Sequence, residues 1–149
     1  MAFPKTVVLR SPRESLGGYI VLPRLIDKVR LLANGQLPQP YAANVLGAEY
    51  TLDGRFLSFT GLDAEALRQV IVSSRTDDEV LAWVQAHAKP ATLADKRAWA
   101  EQIDSYRPDA ALGEYRRRLY PELAARIDVS CLSVLDLIDM DEGLLPIQS

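Results

Sequence analysis

Opposite charges gather at opposite ends of this sequence. Through residue 30 the chain carries Lys5, Arg10, Arg13, Arg24, Lys28 and Arg30 against Glu14 and Asp27, and from residue 128 onward it carries Asp128, Asp136, Asp139, Asp141 and Glu142 with no Lys or Arg. An arginine fork holds carboxylate or phosphate through two parallel hydrogen bonds, so the basic end has the chemistry of an anion site. Carboxylates such as Asp136, Asp139, Asp141 and Glu142 could offer hard oxygen ligands to Mg²⁺ or Mn²⁺, but their spacing matches no established metal loop, and no metal is assigned. Chain ends of compact domains often lie close together. The expectation is therefore a polar network in which Arg13, Arg24, Asp27, Lys28 and Arg30 meet Asp139, Asp141 and Glu142, with Tyr41 nearby as a hydroxyl donor. The plainer alternative is a solvated surface whose ion pairs contribute about 0–1 kcal/mol each.

Other reactive residue types carry less. His87, the only histidine, follows Trp83 by four residues, where partial burial or stacking is expected. Cys131 stands alone, which rules out an intrachain disulfide and reads as a small buried hydrophobe. Leu16-Gly17-Gly18-Tyr19 lacks the spaced glycines of a phosphate loop. Arg116-Arg117-Arg118 follows Glu114 at pairing distance and reads as a solvated, salt-bridged helix face. A formal net charge of −3 gives no electrostatic reason to expect nucleic acid or an anionic membrane. No catalytic residue and no cofactor is assigned. The ranking of functions is a non-enzymatic binding module for a small anionic ligand or a protein segment, then a structural or oligomerisation domain, then a carboxylate- or metal-dependent enzyme. The oligomeric state is open.

The elements that must position these groups are helical. With 48% apolar and 25% charged residues over 149 positions, the chain has the composition of one globular domain spanning 1–149. Leu22, Leu25, Ile26, Val29, Leu32 and Ala33 form one apolar stripe at helical period behind Pro23, with Asn34-Gly35 as the stop and Arg24, Asp27 and Lys28 on the opposite face. Ser11-Pro12-Arg13-Glu14 has the pattern of a helix start, cut short at Gly17-Gly18. Residues 50–59 admit either a short hairpin at Asp53-Gly54 or, preferred, a short helix. Later helices start at Thr60 or Asp63, at Thr76, at Thr92 and at Pro108-Asp109. Pro121 breaks or restarts the chain, and a last apolar segment covers 131–140 before an untethered tail. Trp99, Tyr106 and Tyr115 are expected in one aromatic section of a single core. The fold class is mostly α, a compact multi-helix domain. Residues 1–10 do not read as a signal peptide and no apolar stretch approaches the length of a membrane span, so the expected location is cytoplasmic.

Ser11-Pro12-Arg13-Glu14, Leu16-Gly17-Gly18, Leu22-Pro23-Arg24, Asp27-Lys28, Arg30, Leu37-Pro38 and Tyr41 resemble the opening signature of an uncharacterised bacterial family known only as carrying a domain of unknown function. The resemblance extends through Phe56-Leu57 and Trp83 to Asp141-Glu142-Gly143. Members often carry an arginine after that last motif, where this chain has Leu144. The resemblance implies a bacterial, intracellular, stand-alone domain and no activity.

Overall fold

A computed structural model describes residues 7–48 and 50–147. The described residues are mostly helical, with one short hairpin. β1 (Ser15–Leu16) and β2 (Tyr19–Ile20) pair antiparallel. They lead into α1 (Leu22–Ala33), α2 (Gln39–Ala42), α3 (Leu52–Thr60), α4 (Ala64–Ser73), α5 (Asp77–His87), α6 (Leu93–Ser105), α7 (Ala110–Leu119), α8 (Pro121–Ala124), a 3₁₀ turn at Val129–Cys131, and α9 (Val134–Asp141).

Most helix starts follow the side-chain chemistry at their N-caps. Thr51, Asp63, Thr76, Thr92, Asp109 and Ser133 each accept a hydrogen bond from a backbone N–H in the first turn. Thr92 and Asp95 complete a reciprocal capping box. At Thr76 only half of one forms, because Glu79 accepts from the Arg75 N–H instead.

One local expectation is corrected, and one open alternative is resolved as preferred. Ser11-Pro12-Arg13-Glu14 starts no helix: it makes a turn, with the Glu14 N–H on the Ser11 carbonyl, that feeds β1. The hairpin lies there and not at residues 50–59, where the preferred helix is found as α3, Leu52–Thr60. Gly17 and Gly18 sit at φ +59° and +85°, the two left-handed positions that match the twist of a two-residue hairpin. Asp53-Gly54 is committed to α3, where a Cβ on Gly54 would sit 2.0 Å from the Ala48 carbonyl oxygen.

Buried apolar residues form two clusters where one core was expected. The larger joins Leu22, Leu25, Ile26 and Val29 of α1 to Phe56, Leu67, Ile71, Val80, Val84 and Trp99. The smaller gathers Leu9, Tyr41, Tyr120, Leu123, Val129 and Leu137. The α1 stripe ends early, since Leu32 and Ala33 are exposed. Tyr106 and Tyr115 are exposed, at 41% and 48%, so they do not join Trp99. Its ring instead stacks on Phe59 at 4.8 Å and meets Phe56 edge-on. Nor is the tail untethered: the Leu144 and Leu145 N–H groups donate to the Asp139 carbonyl, and Ile147 packs on the smaller cluster. Among the described residues no helix is long and apolar enough to cross a membrane.

Ile26→Ala should cost about 2–5 kcal/mol, since the side chain is fully enclosed. Gly54→Ala should cost at least about 3 kcal/mol, because the carbonyl it strikes belongs to backbone that cannot swing aside. Urea unfolding of both variants measures this.

Candidate functional site

The charged face of α1 is not solvated. Arg24 and Lys28 are 5% and 6% exposed, as enclosed as the apolar stripe behind them. Burying a charge costs several kcal/mol unless a partner replaces water, and each cation here has one.

Arg24 places Nη1 2.7 Å from Oε1 of Glu142 and Nη2 on Oε2, a two-oxygen fork contact, and donates a further bond to the Arg10 carbonyl. Its guanidinium carbon lies 6.0 Å from the centre of the Tyr41 ring. Burial alone would lower the Arg24 pKa, but the hydrogen bonds and charge of Glu142 outweigh it and the net shift is upward. Tyr41 is pushed up to about 12, first by burial and then by the Glu142 charge. Tyr120 is raised for the same first reason, with Asp141 adding to it.

Lys28 donates to Oδ1 of Asp53 at 2.9 Å, in a pair more enclosed than any other here. The other Asp53 oxygen accepts from the Leu46 N–H and holds that residue at φ +50°. Asp27 and Arg30 turn elsewhere. Asp27 takes the fork of Arg10 and its backbone N–H, and Asp77 bridges Arg10 to Arg30. The hydrogen bond from Arg10 is the main reason the Asp77 carboxyl titrates below the usual aspartate range.

Arg13 bridges Asp104 on α6 and Asp136 on α9, and its Nε lies 3.9 Å from Asp139. Asp139 is buried. Its Oδ2 accepts from the Ser11 hydroxyl at 3.0 Å, while its Oδ1 and Nη2 of Arg30 have no hydrogen-bond partner among the described residues. Burial pushes the Asp139 carboxyl up, against the pull of Ser11 and Arg13. Asp104, beside Arg13, is held low.

Of the residues singled out from sequence, Arg13, Arg24, Tyr41, Asp139 and Glu142 therefore come together where the two ends of the chain meet. Asp141 is buried beside them, its charge acting on Tyr41 and Tyr120. Asp27, Lys28 and Arg30 share the helix but face partners from other segments. Lys5 lies outside the described residues. Arg10, Asp53 and Asp77 are missing from the expected set, although they complete it. Asp77 had a signal only as a capping residue, and nothing local marks Asp53 as buried.

Two plainer readings also change, and the stacking expected of His87 is present. Cys131 is exposed, and its thiol donates to Asp128; that hydrogen bond, and then the Asp128 charge, raises its pKa. Arg116 is buried, donating to the Val129 and Leu132 carbonyls, while Arg117 pairs with Glu114 as a surface face would. His87 stacks on Trp83 at 4.5 Å but is exposed. Among the described residues no three His, Cys, Asp or Glu side chains are grouped to hold a metal ion.

A family model described as "Domain of unknown function (DUF5069)" matches residues 6–144. The chain belongs to this family. A comparison with curated proteins found no match. The match takes in both the basic residues of α1 and the acidic end that meets them, so the network lies within the family domain.

Two predictions follow from the pairs. Asp53→Ala strands the Lys28 ammonium and frees the Leu46 N–H, and should destabilise by about 3–5 kcal/mol in chemical unfolding. The carboxyls should also divide by pH. Asp77 and Asp104 are lowered in the folded state, so on acidification the unfolded chain takes up their protons first. Their stabilisation is present above the ordinary aspartate pKa and is lost as pH falls through their folded values. Asp139 is raised, so its contribution has the opposite sign: it is present at low pH and lost as pH rises through the folded value. Asp77→Asn should therefore lower the melting temperature at neutral pH, whereas Asp139→Asn should leave it equal or higher. Both differences should shrink towards about pH 3.

Proposed function

We propose that this DUF5069 domain is a non-enzymatic binding module that recognises an anionic group, on a small ligand or a protein segment, at the Arg24 pocket. The observation carrying this reading is the fork contact between buried Arg24 and Glu142, with the Tyr41 ring alongside. A guanidinium held this way presents a preformed, planar carboxylate site. Glu142 follows the last residue of α9, so it occupies the pocket as the carboxylate of a ligand would. Exchange needs only that an incoming anion take over its two hydrogen bonds as the terminal arm moves aside. A bacterial, cytoplasmic setting belongs to the same proposal. A chain with one cysteine makes no disulfide of its own, which suits a reducing compartment.

A second reading, a purely structural clasp, has its own support. Lys28, Arg30 and Arg13 are all matched by internal carboxylates, as though the network served only to hold elements together.

Glu142→Gln separates the two. Under the binding reading the variant exposes Arg24 to external anions, and citrate or inorganic phosphate at a hundredfold excess over Kd should stabilise it by about 2.7 kcal/mol, with little effect on the wild type. Under the clasp reading neither anion helps, yet an Arg24→Ala/Glu142→Ala double-mutant cycle gives a coupling above about 0.5 kcal/mol. Additive effects without anion stabilisation would dispose of both.

A further inference from the structure

A different surface holds a cation that the chain leaves unmatched. Arg55 of α3 is half-buried at the side of an open groove of about 540 Å³ between α3 and α6. Its guanidinium lies over the Tyr106 ring, 5.2 Å from the centroid. This cation–π contact fixes the plane of the fork without using its hydrogen bonds. Among the described residues Arg55 forms no ion pair, in contrast with Arg10, Arg13, Arg24 and Arg30.

The electrostatics around it point the same way. Arg107 donates to the carbonyls of Asp104 and Tyr106, and Arg116 donates to carbonyls of the 3₁₀ turn and its neighbour. Neither has a carboxylate partner among the described residues. The charges of Arg107 and Arg55 both act on Arg116 and add to the lowering that burial imposes on it. Asp104 feels Arg107, but its carboxylate is taken by Arg13. Three cations thus share one neighbourhood with no anion assigned to them.

The rest of the groove offers both apolar and polar groups. The stacked Phe59–Trp99 pair gives a rigid apolar wall, and Ser58 and Gln102 supply hydrogen-bonding groups at the mouth. Its volume falls within the range of sites for small organic molecules.

We infer that this groove binds a small organic carboxylate with an apolar body, its carboxylate on the Arg55 fork and its body against Phe59 and Trp99. A single guanidinium lines the groove, which suits a monoanion. The site is separate from the Arg24 pocket and stands whether or not that reading holds.

Calorimetric titration with 1-naphthoate, its neutral amide and 1-naphthyl phosphate tests the inference. Naphthoate should bind saturably with a Kd of about 1 mM or tighter, and the amide at least about tenfold more weakly. Arg55→Gln should bring naphthoate down to the level of the amide. Ser58→Trp, which fills the groove from an exposed position, should abolish binding, and Glu65→Gln, on α4 outside both sites, should leave it unchanged. Equal binding of acid and amide, no saturable binding of naphthoate, or full binding by both groove variants would overturn the proposal. Tighter binding of the phosphate would overturn the carboxylate assignment, and undiminished naphthoate binding by Arg55→Gln would overturn the assignment to Arg55.

Discussion

A helix that buries a guanidinium and an ammonium on the face opposite its apolar stripe needs a carboxylate delivered to each of them. Helix α1 is in that position, and the rest of the structure follows from how the need is met. Desolvating Arg24 or Lys28 without a partner would cost several kcal/mol, a large part of the 5–15 kcal/mol by which a domain is stable. Glu142 therefore has to come from the end of the chain and Asp53 from the first turn of α3. The return of the acidic segment to α1 also encloses the second apolar cluster, in which Tyr41 and Tyr120 lie beside Leu123 and Leu137.

The ion pairs are unequal in what they do. Arg13 and its carboxylates are largely solvated, and pairs of that kind add little to stability. The Lys28–Asp53 pair is enclosed, and Asp53 also holds Leu46 in a left-handed conformation, so backbone geometry and charge depend on one side chain. Such a pair adds modestly to net stability, but losing one member is costly. Val21, the residue before α1, is a second such point. It is β-branched yet sits at φ +75°, with its N–H on the Pro12 carbonyl. The hairpin and the buried helix behind it impose that strain.

Arg55, Arg107 and Arg116 sit outside this economy of matched charges. Where the chain buries α1 it supplies an anion for each cation, whereas among the described residues Arg55, Arg107 and Arg116 form no ion pair. The contrast within one molecule separates charges used to hold the fold together from charges left available to something else.

Local sequence determined the helices, because capping residues and apolar spacing act over a few positions. Thr76, Thr92 and Asp109 start helices where their side chains can reach a first-turn N–H, and Leu25, Ile26 and Val29 share a buried face. Of the charges segregated to the two ends, Arg13 and Arg24 meet Asp136 and Glu142, while Asp27, Lys28 and Arg30 take partners from elsewhere. What covers a helix's second face depends on elements distant in sequence, so the burial of Arg24, Lys28, Asp53 and Arg116 was decided only by the tertiary structure. The same holds for Tyr106 and Cys131, which keep apolar spacing or character but remain exposed. At Gly17-Gly18 the signal was present and misread: two glycines end a helix or turn a hairpin equally well, and the packing of Gly17 against Leu81 and of Gly18 against Leu93 accompanies the second outcome. Periodicity tells which residues share a side, and only the folded chain decides which sides meet.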